Sequence, residues 1–227
     1  MGRCNKELFK MKAYDLHFHT KHSPCSNLEP KLALKLAKKR GLNGISVTDH
    51  NKIKGAYEIS KLNKDKDFEV VAASELSVNG GHITALYINE VPKKLDFFSV
   101  VDSVKEQGGL LILAHPYDLT RKHFNNDFIF RNRKYFDGIE VYNSREIFNI
   151  FNKKALKTKN ELNLAAVGGS DSHFHFEVGR TRTYFNDDLY KSIKLKKTFV
   201  SGTNVYGLPG HVFTRVHKLL NKLNLNK

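Results

Sequence analysis

The sequence predicts an α/β fold with a mainly parallel sheet, open or closed into a barrel. Three observations predict it. Apolar runs of strand length alternate with amphipathic stretches of helix length, Pro and Gly mark the boundaries, and almost every apolar run ends in His, Asp or Glu. Alternation of this kind is the pattern of βα units, whose strands are buried on both faces.

Taken in order, Tyr14 to Phe18 reads as a strand. PKLALKLAKKR, Pro30 to Arg40, reads as a helix, with Pro30 where a first turn tolerates it and Gly41 as its stop. GISVT, Gly44 to Thr48, is a short buried strand, and Ile53 to Leu62 a helix. Val70 to Ser74 and His82 to Ile88 are strands, and Phe97 to Gln107 is a helix stopped by Gly108-Gly109. LLILA, Leu110 to Ala114, is a wholly apolar strand, followed by a strand at Gly138 to Tyr142, a long helix at Glu146 to Glu161 and a strand at Leu164 to Gly168. Asp118 to Tyr135 is aromatic and basic without a clear period. From Pro209 onward the tail reads as a basic helix that packs on the body or extends from it. The expected organisation is therefore a catalytic barrel over residues 1–208 and a C-terminal basic helix over 209–227.

A chain of 227 residues suits one large domain, or one with a small appendage. Hydrophobic residues make up 40% and charged residues 27%, which is not a disordered composition. Lys+Arg number 38 against 23 Asp+Glu, a formal net charge of +15, but only nine of the 38 are Arg. Such a Lys-rich excess reads either as solvated surface or as a nucleic-acid footprint, and in both cases its field attracts an anionic substrate. No apolar run reaches the roughly 18 residues of a membrane span. The opening MGRCNKELFKMK has no apolar core of a leader peptide. Two cysteines, Cys4 and Cys25, make no disulfide framework, so the expected location is cytoplasmic.

The polar residues that close the strands carry the chemistry. The first strand ends in Asp15-Leu16-His17-Phe18-His19, the second in Thr48-Asp49-His50-Asn51, and the third runs into Ser74-Glu75. The fourth opens at Gly81-His82, the fifth ends in Ala114-His115-Pro116, the sixth carries Glu140 and the seventh ends in Ser170-Asp171-Ser172-His173. In parallel α/β folds the C-terminal strand ends share one face, where sites are built. Residues two apart in a strand point the same way, so His17 and His19 can face one ion with Phe18 turned away. His and carboxylate together suit Zn, Mn or Fe, and a carboxylate such as Glu75 has two oxygens with which to bridge two ions. Taken singly, each His also fits a hydrogen-bonded core position, and Asp49 or Asp171 a helix N-cap. Their joint placement favours two or three divalent metal ions, because so many His and acid groups are costly to bury unpaired.

The series DLHFHT, GISVTDHN, ASELS, GHITAL, LAHP and GSDSH, in this order between Tyr14 and Phe185, resembles the PHP superfamily (polymerase and histidinol phosphatase domain). The resemblance implies a distorted (β/α)7 TIM-like barrel with a trinuclear metal site at the C-terminal ends of its strands. It implies His17, His19, Glu75 and Asp171 on a first ion, Glu75 with His82 and His115 on a second, and His50 with His173 on a third. Where the family offers an Asp or His to the third ion this sequence has Cys25, which is favoured as the ligand; the alternatives are His22 as a substitute, or a third ion that is weak or absent. Glu140, Asp15 and Asp49 are expected to orient the ligands. The resemblance suggests that Arg180 or Arg182, in VGRTRT, faces a substrate phosphate, a surface role being the other reading, and Arg180 with His50 is also read as catalytic.

The sequence contains no GxSxG elbow, no P-loop and no dinucleotide fingerprint after a strand. The expected function is therefore that of a metal-dependent phosphoric ester hydrolase, with hydroxide formed at the ions attacking a phosphomonoester or phosphodiester. A nucleotide or short oligonucleotide is favoured, histidinol phosphate is the alternative, and a non-catalytic nucleic-acid-binding module is the alternative of another class. Arg121, Lys122, Arg131, Arg133 and Lys134, interleaved with Phe124, Phe128, Phe130, Tyr135 and Phe136, read either as a helix packing its rings on the barrel or as a phosphate-and-base platform.

Overall fold

A computed structural model describes residues 11–223. Residues 1–10, with Cys4 and most of the segment read for a leader, and residues 224–227 at the end of the tail lie outside the described residues. The chain runs β1 (Lys12–Asp15), α1 (Pro30–Lys39), β2 (Gly44–Val47), α2 (Lys54–Leu62), β3 (Glu69–Val78), β4 (Gly81–Leu86), α3 (Phe97–Glu106) and β5 (Leu110–Leu113). It continues through α4 (Asn126–Arg131), a 3-10 turn (Arg133–Tyr135), β6 (Gly138–Asn143), α5 (Asn149–Leu162), β7 (Ala165–Gly169), β8 (Thr181–Phe185), α6 (Leu189–Lys194), β9 (Phe199–Gly202) and α7 (Gly207–Lys222). Among the described residues no helix is long and apolar enough to cross a membrane.

The strands form one sheet in the order β7-β6-β5-β4-β3-β2-β1-β8-β9. Pairing is parallel through β1, β2 and β3 and again through β5, β6 and β7. Contrary to the mainly parallel reading, β4 is antiparallel to both neighbours, and β8 is antiparallel to β1 and β9. The reason is local. Only Asn79-Gly80 separates β3 from β4, too short for a crossover, and Gly80 takes φ +101° in the turn. β3 also continues to Val78, past the expected Ser74, so Glu75 sits inside a strand paired with Thr84. The hairpin delivers His82, at the start of β4, to the end of the sheet where the parallel strands exit.

The sheet curls into a nearly closed barrel. Its seam is stitched by side chains: the Thr183 hydroxyl accepts from Gly168 N at 2.9 Å and donates to Gly168 O at 2.9 Å. Gly169 lies so close to the chain leaving β1 that a Cβ there would stand 2.4 Å from His17 N. Buried Val, Ile, Leu and Phe from the sheet pack against amphipathic helices such as α1, whose Ala33, Leu34 and Ala37 face inward. The aromatic stretch takes its packing role. Phe124 and Phe136 are buried, and Phe97 meets Phe124, Phe128, Tyr135 and Phe136 edge-on or tilted.

Candidate metal centre

Each predicted ligand except Cys25 leaves the sheet at one end, and the ring nitrogens converge. His17 turns Nδ1 to Glu140 Oε1 at 3.1 Å, and His19 turns Nδ1 to Ser23 Oγ at 3.2 Å. That leaves both Nε2 atoms facing each other at 3.3 Å. His17 Nε2 lies 3.5 Å from Glu75 Oε2 and 3.7 Å from Asp171 Oδ1, and His19 Nε2 lies 3.3 and 3.2 Å from the same two oxygens. A tetrahedral ion with bonds of 2.0–2.1 Å has ligand–ligand edges of about 3.4 Å. These four atoms therefore already outline a coordination shell. Glu75 Oε1 meets His82 Nδ1 and His115 Nε2, each at 2.8 Å. His19, His50 and His173 form another group, one ring nitrogen of each lying within 4.8 Å of the others.

The donor set fits cations. Glu75 Oε2, Asp171 Oδ1 and His82 Nδ1 are buried without a hydrogen bond, although charged or ring atoms stand 2.8–3.7 Å away. Atoms aimed at a shared point and not at one another are what ligands look like, since an orphaned buried polar atom is otherwise costly. Two of the expected ligands also hold strained backbones, His115 at φ +24° and Asp171 at φ +53°. Burial pushes the Glu75 carboxyl up, but the fields of His50, His82 and His17 outweigh it and hold the group well below the usual range. Asp171 is held low against the same burial penalty, chiefly by Arg121. Burial and the Arg145 charge keep His173 well below the ordinary imidazole value, so its lone pair is free at neutral pH.

The supporting residues act partly as expected. Glu140 binds His17 through Oε1, and its Oε2 accepts from His115 N at 2.8 Å. Asp49 reaches His19 through Ser23, whose hydroxyl donates to Asp49 Oδ1 at 2.7 Å. Asp15 touches no imidazole. It accepts from Ser170 N and Gly179 N at 2.8 Å and from His17 N at 3.4 Å, tying together the exits of β1 and β7, and burial pushes its carboxyl up to about 6. Cys25 is buried in the cavity wall, which His50 also lines. Burial alone would raise its thiol, but His50 and the nearby charges bring it below its ordinary value. His22 is committed elsewhere, with Nε2 on Glu58 Oε2 at 2.7 Å.

The phosphate-binding reading of Arg180 and Arg182 requires correction. Arg180 stacks over Tyr206, and Arg182 donates to Arg40 O at 2.7 Å, so both line a separate groove with Gly179 and Thr203. They sit on and beside antiparallel β8, outside the set of strand exits that builds the cluster. The arginines at the site are others. Arg121 pairs with Asp171 and with Asp118 Oδ2, the latter at 2.9 Å. Arg145, buried just past β6, pairs with Glu177 Oε1 at 2.8 Å. With Thr120 they line a cavity of about 270 Å³ that also meets Cys25, His50, His82, Asp171 and His173. Arg145 follows a strand exit and was findable by the rule that found the ligands. Arg121 lies on a loop with no such signal.

A nearly closed α/β barrel with His and carboxylate gathered at its strand exits defines a class of metal-site barrels. The family model described as PHP-associated matches residues 149–198. The uncharacterised protein MJ1587 of Methanocaldococcus jannaschii is 42% identical over 162 residues, 64% of this chain and 90% of that protein. Among solved structures, a two-domain Bacteroides vulgatus protein containing a predicted PHP-like metal-dependent phosphoesterase superposes with TM-score 0.71 at 18% identity, over 85% of this chain and 65% of that one. The lesion-specific endonuclease PfuEndoQ of Pyrococcus furiosus superposes with TM-score 0.54 at 16% identity, over 81% of this chain and 56% of that one. The chain spans about two thirds of the first structure and a little over half of the second, and what it shares with them is the barrel. The chain belongs to the PHP superfamily.

Proposed function

We propose that the protein is a metal-dependent phosphoric ester hydrolase acting on a nucleotide or short oligonucleotide. One observation carries this reading: the ligand cluster opens into a cavity lined by four cationic side chains, Arg121, Arg145, Arg215 and Lys218. His17, His19, Glu75 and Asp171 would hold one ion, Glu75, His82 and His115 a second, and His50, His173 and Cys25 a third. Bound divalent ions would polarise phosphate oxygens and make water acidic enough to ionise near neutral pH. The chain's own residues do the rest. Glu140 and Ser23 fix the orientation of the His17 and His19 rings through their Nδ1 atoms. Arg121, clamped between Asp118 and Asp171, places a fixed positive charge at the cavity wall, where it balances the phosphate's non-bridging oxygens. The His50 ring meets Glu75 Oε2 through Nδ1 at 3.0 Å, which suits a ligand, so proton delivery is not assigned to it.

The purified protein is expected to carry two or three transition-metal ions by elemental analysis. It should release phosphate or nitrophenol from p-nitrophenyl esters and nucleotides from short 5′-phosphorylated RNA. Chelation should abolish turnover, and Mn or Zn should restore it. A chain that retains no such ion and hydrolyses none of these esters is not this enzyme. The soft thiolate also gives a spectral handle. The cobalt-substituted protein should show near-ultraviolet sulfur-to-metal charge transfer that disappears in Cys25→Ser. An unchanged spectrum would remove Cys25 from the ligand set.

A further inference from the structure

Helix α7 turns the face expected to meet solvent toward the site. His211, Thr214, Arg215 and Lys218 all line the metal-site cavity, at the i, i+3, i+4, i+7 spacing of one helix face. Its aliphatic stripe points outward instead: Leu208, Val212, Val216 and Leu219 are 49–61% exposed. The seating is built into the chain. A Cβ at Gly207 would stand 2.6 Å from Glu146 O, and one at Gly210 would stand 2.3 Å from Glu177 Oε1, so only glycine lets the first turns sit this low. Arg145 then donates to Thr214 Oγ1 at 2.8 Å, and the His211 ring meets Arg145 O at 3.1 Å.

This arrangement brings Arg215 and Lys218 toward Arg121 and Arg145. The two inner arginines are balanced by Asp118, Asp171 and Glu177. Arg215 and Lys218 pair with no carboxylate among the described residues, and α7 contains no Asp or Glu to balance them. Cations gathered at a cavity mouth without counter-charges repel one another until an anion enters. Both are exposed, so they stand at the rim, beyond the position of a phosphate seated at the cluster. Beside the rim, Phe213 is 50% exposed and packs against Phe174 and Phe176, offering a ring face of the type on which bases stack.

We propose that Arg215 and Lys218 clamp a second phosphate, one link along a single-stranded oligonucleotide whose terminal phosphate occupies the cavity. This rests on the phosphoesterase reading for the terminal phosphate, but its test does not depend on turnover. The probe is a fluorescein-labelled trinucleotide with thiophosphate linkages and a 5′-thiophosphate, slow to hydrolyse, titrated by anisotropy into the whole metal-loaded protein. Arg215→Ala/Lys218→Ala should weaken binding at least tenfold and flatten the slope of log affinity against log salt by about 1.4, two contacts at ~0.7 each for a single strand. Lys35→Ala/Lys39→Ala removes the same charge from α1, far along the chain from the cavity residues, and should change affinity less than threefold. Circular dichroism controls for folding. Equal weakening by both pairs, no weakening by the first, or no binding to the unaltered protein overturns the clamp. Tenfold weakening in a protein that hydrolyses no ester would keep the clamp and discard the catalytic reading.

Discussion

Glu75→Gln is expected to lower ester hydrolysis by at least about 10³-fold, a loss of about 4 kcal/mol of transition-state stabilisation, and to reduce bound metal to one ion or fewer per chain. The side chain is wholly buried and its two oxygens face different partners, Oε1 toward His82 and His115, Oε2 toward His17, His19 and His50. A carboxamide keeps the shape but not the charge, and its nitrogen has no lone pair for a cation. One side therefore loses its ligand outright, and the other keeps only a neutral carbonyl. The strand itself should survive, because the register of β3 is set by backbone pairing to β2 and β4. Elemental analysis, initial rates and a far-ultraviolet spectrum on the same preparation check all three points. Full metal content with full activity in the variant would mean that Glu75 bridges nothing.

Arg145→Ala is expected to destabilise the fold by about 3–5 kcal/mol, the usual result of stranding one partner of a buried ion pair. Arg145 and Glu177 are each about 1% exposed. Glu177 uses its other oxygen to accept from His173 N at 2.7 Å and from Phe174 N at 3.0 Å, so the pair positions a proposed ligand. Burial holds the Glu177 carboxyl above its ordinary value even with the arginine beside it. Without Arg145 its folded pKa rises further. A raised carboxyl pKa costs stability as pH climbs above the unfolded value, so the gap between variant and parent should narrow as pH falls toward 5. Arg145→Lys recovers the charge but not the fork that meets Glu177 and Thr214 together. Arg145→Leu/Glu177→Leu, which leaves no charge stranded, should melt above Arg145→Ala. Thermal melts from pH 5 to 8 test the series, and a melting point for Arg145→Ala equal to that of the parent would dismiss the argument.

The succession of strands up to Gly168 and the gathering of His and acid side chains at one rim were legible because each rests on a short-range rule; β8 and β9 were not read. Alternation of apolar runs marks the βα units, and a His or acid at a strand exit must arrive at one rim. The β3–β4 hairpin was legible in part: no helix fits between Ser74 and His82, yet the parallel pattern of the flanking strands hid the reversal. Arg180 and Arg182 misled because position after the last motif says nothing about which side of an antiparallel strand a side chain leaves from. Arg121 was legible only as one of five basic residues in a stretch open to two readings, not as a residue of this cavity. Its loop has no period, and only the paired acids, Asp118 and Asp171, decide where its guanidinium goes. Helix α7 defeated the amphipathic rule, which turns aliphatic residues inward. Here Gly207 and Gly210, together with Arg145, fix which face meets the barrel.

The seam between β7 and β8 has wider meaning for how the molecule holds together. Hydroxyl stitches join Thr183 to Gly168 there, and just past them the exits of β1 and β7 meet through Asp171 N on His17 O at 2.7 Å and His19 N on Ser172 O at 2.9 Å, so residues that would share ions stand on both sides of the junction. Cations bound at that rim would act as rivets across the junction of the first and seventh strands. Catalytic loading and mechanical closure would then be one event, so starving the chain of metal would loosen the cylinder as well as silence it.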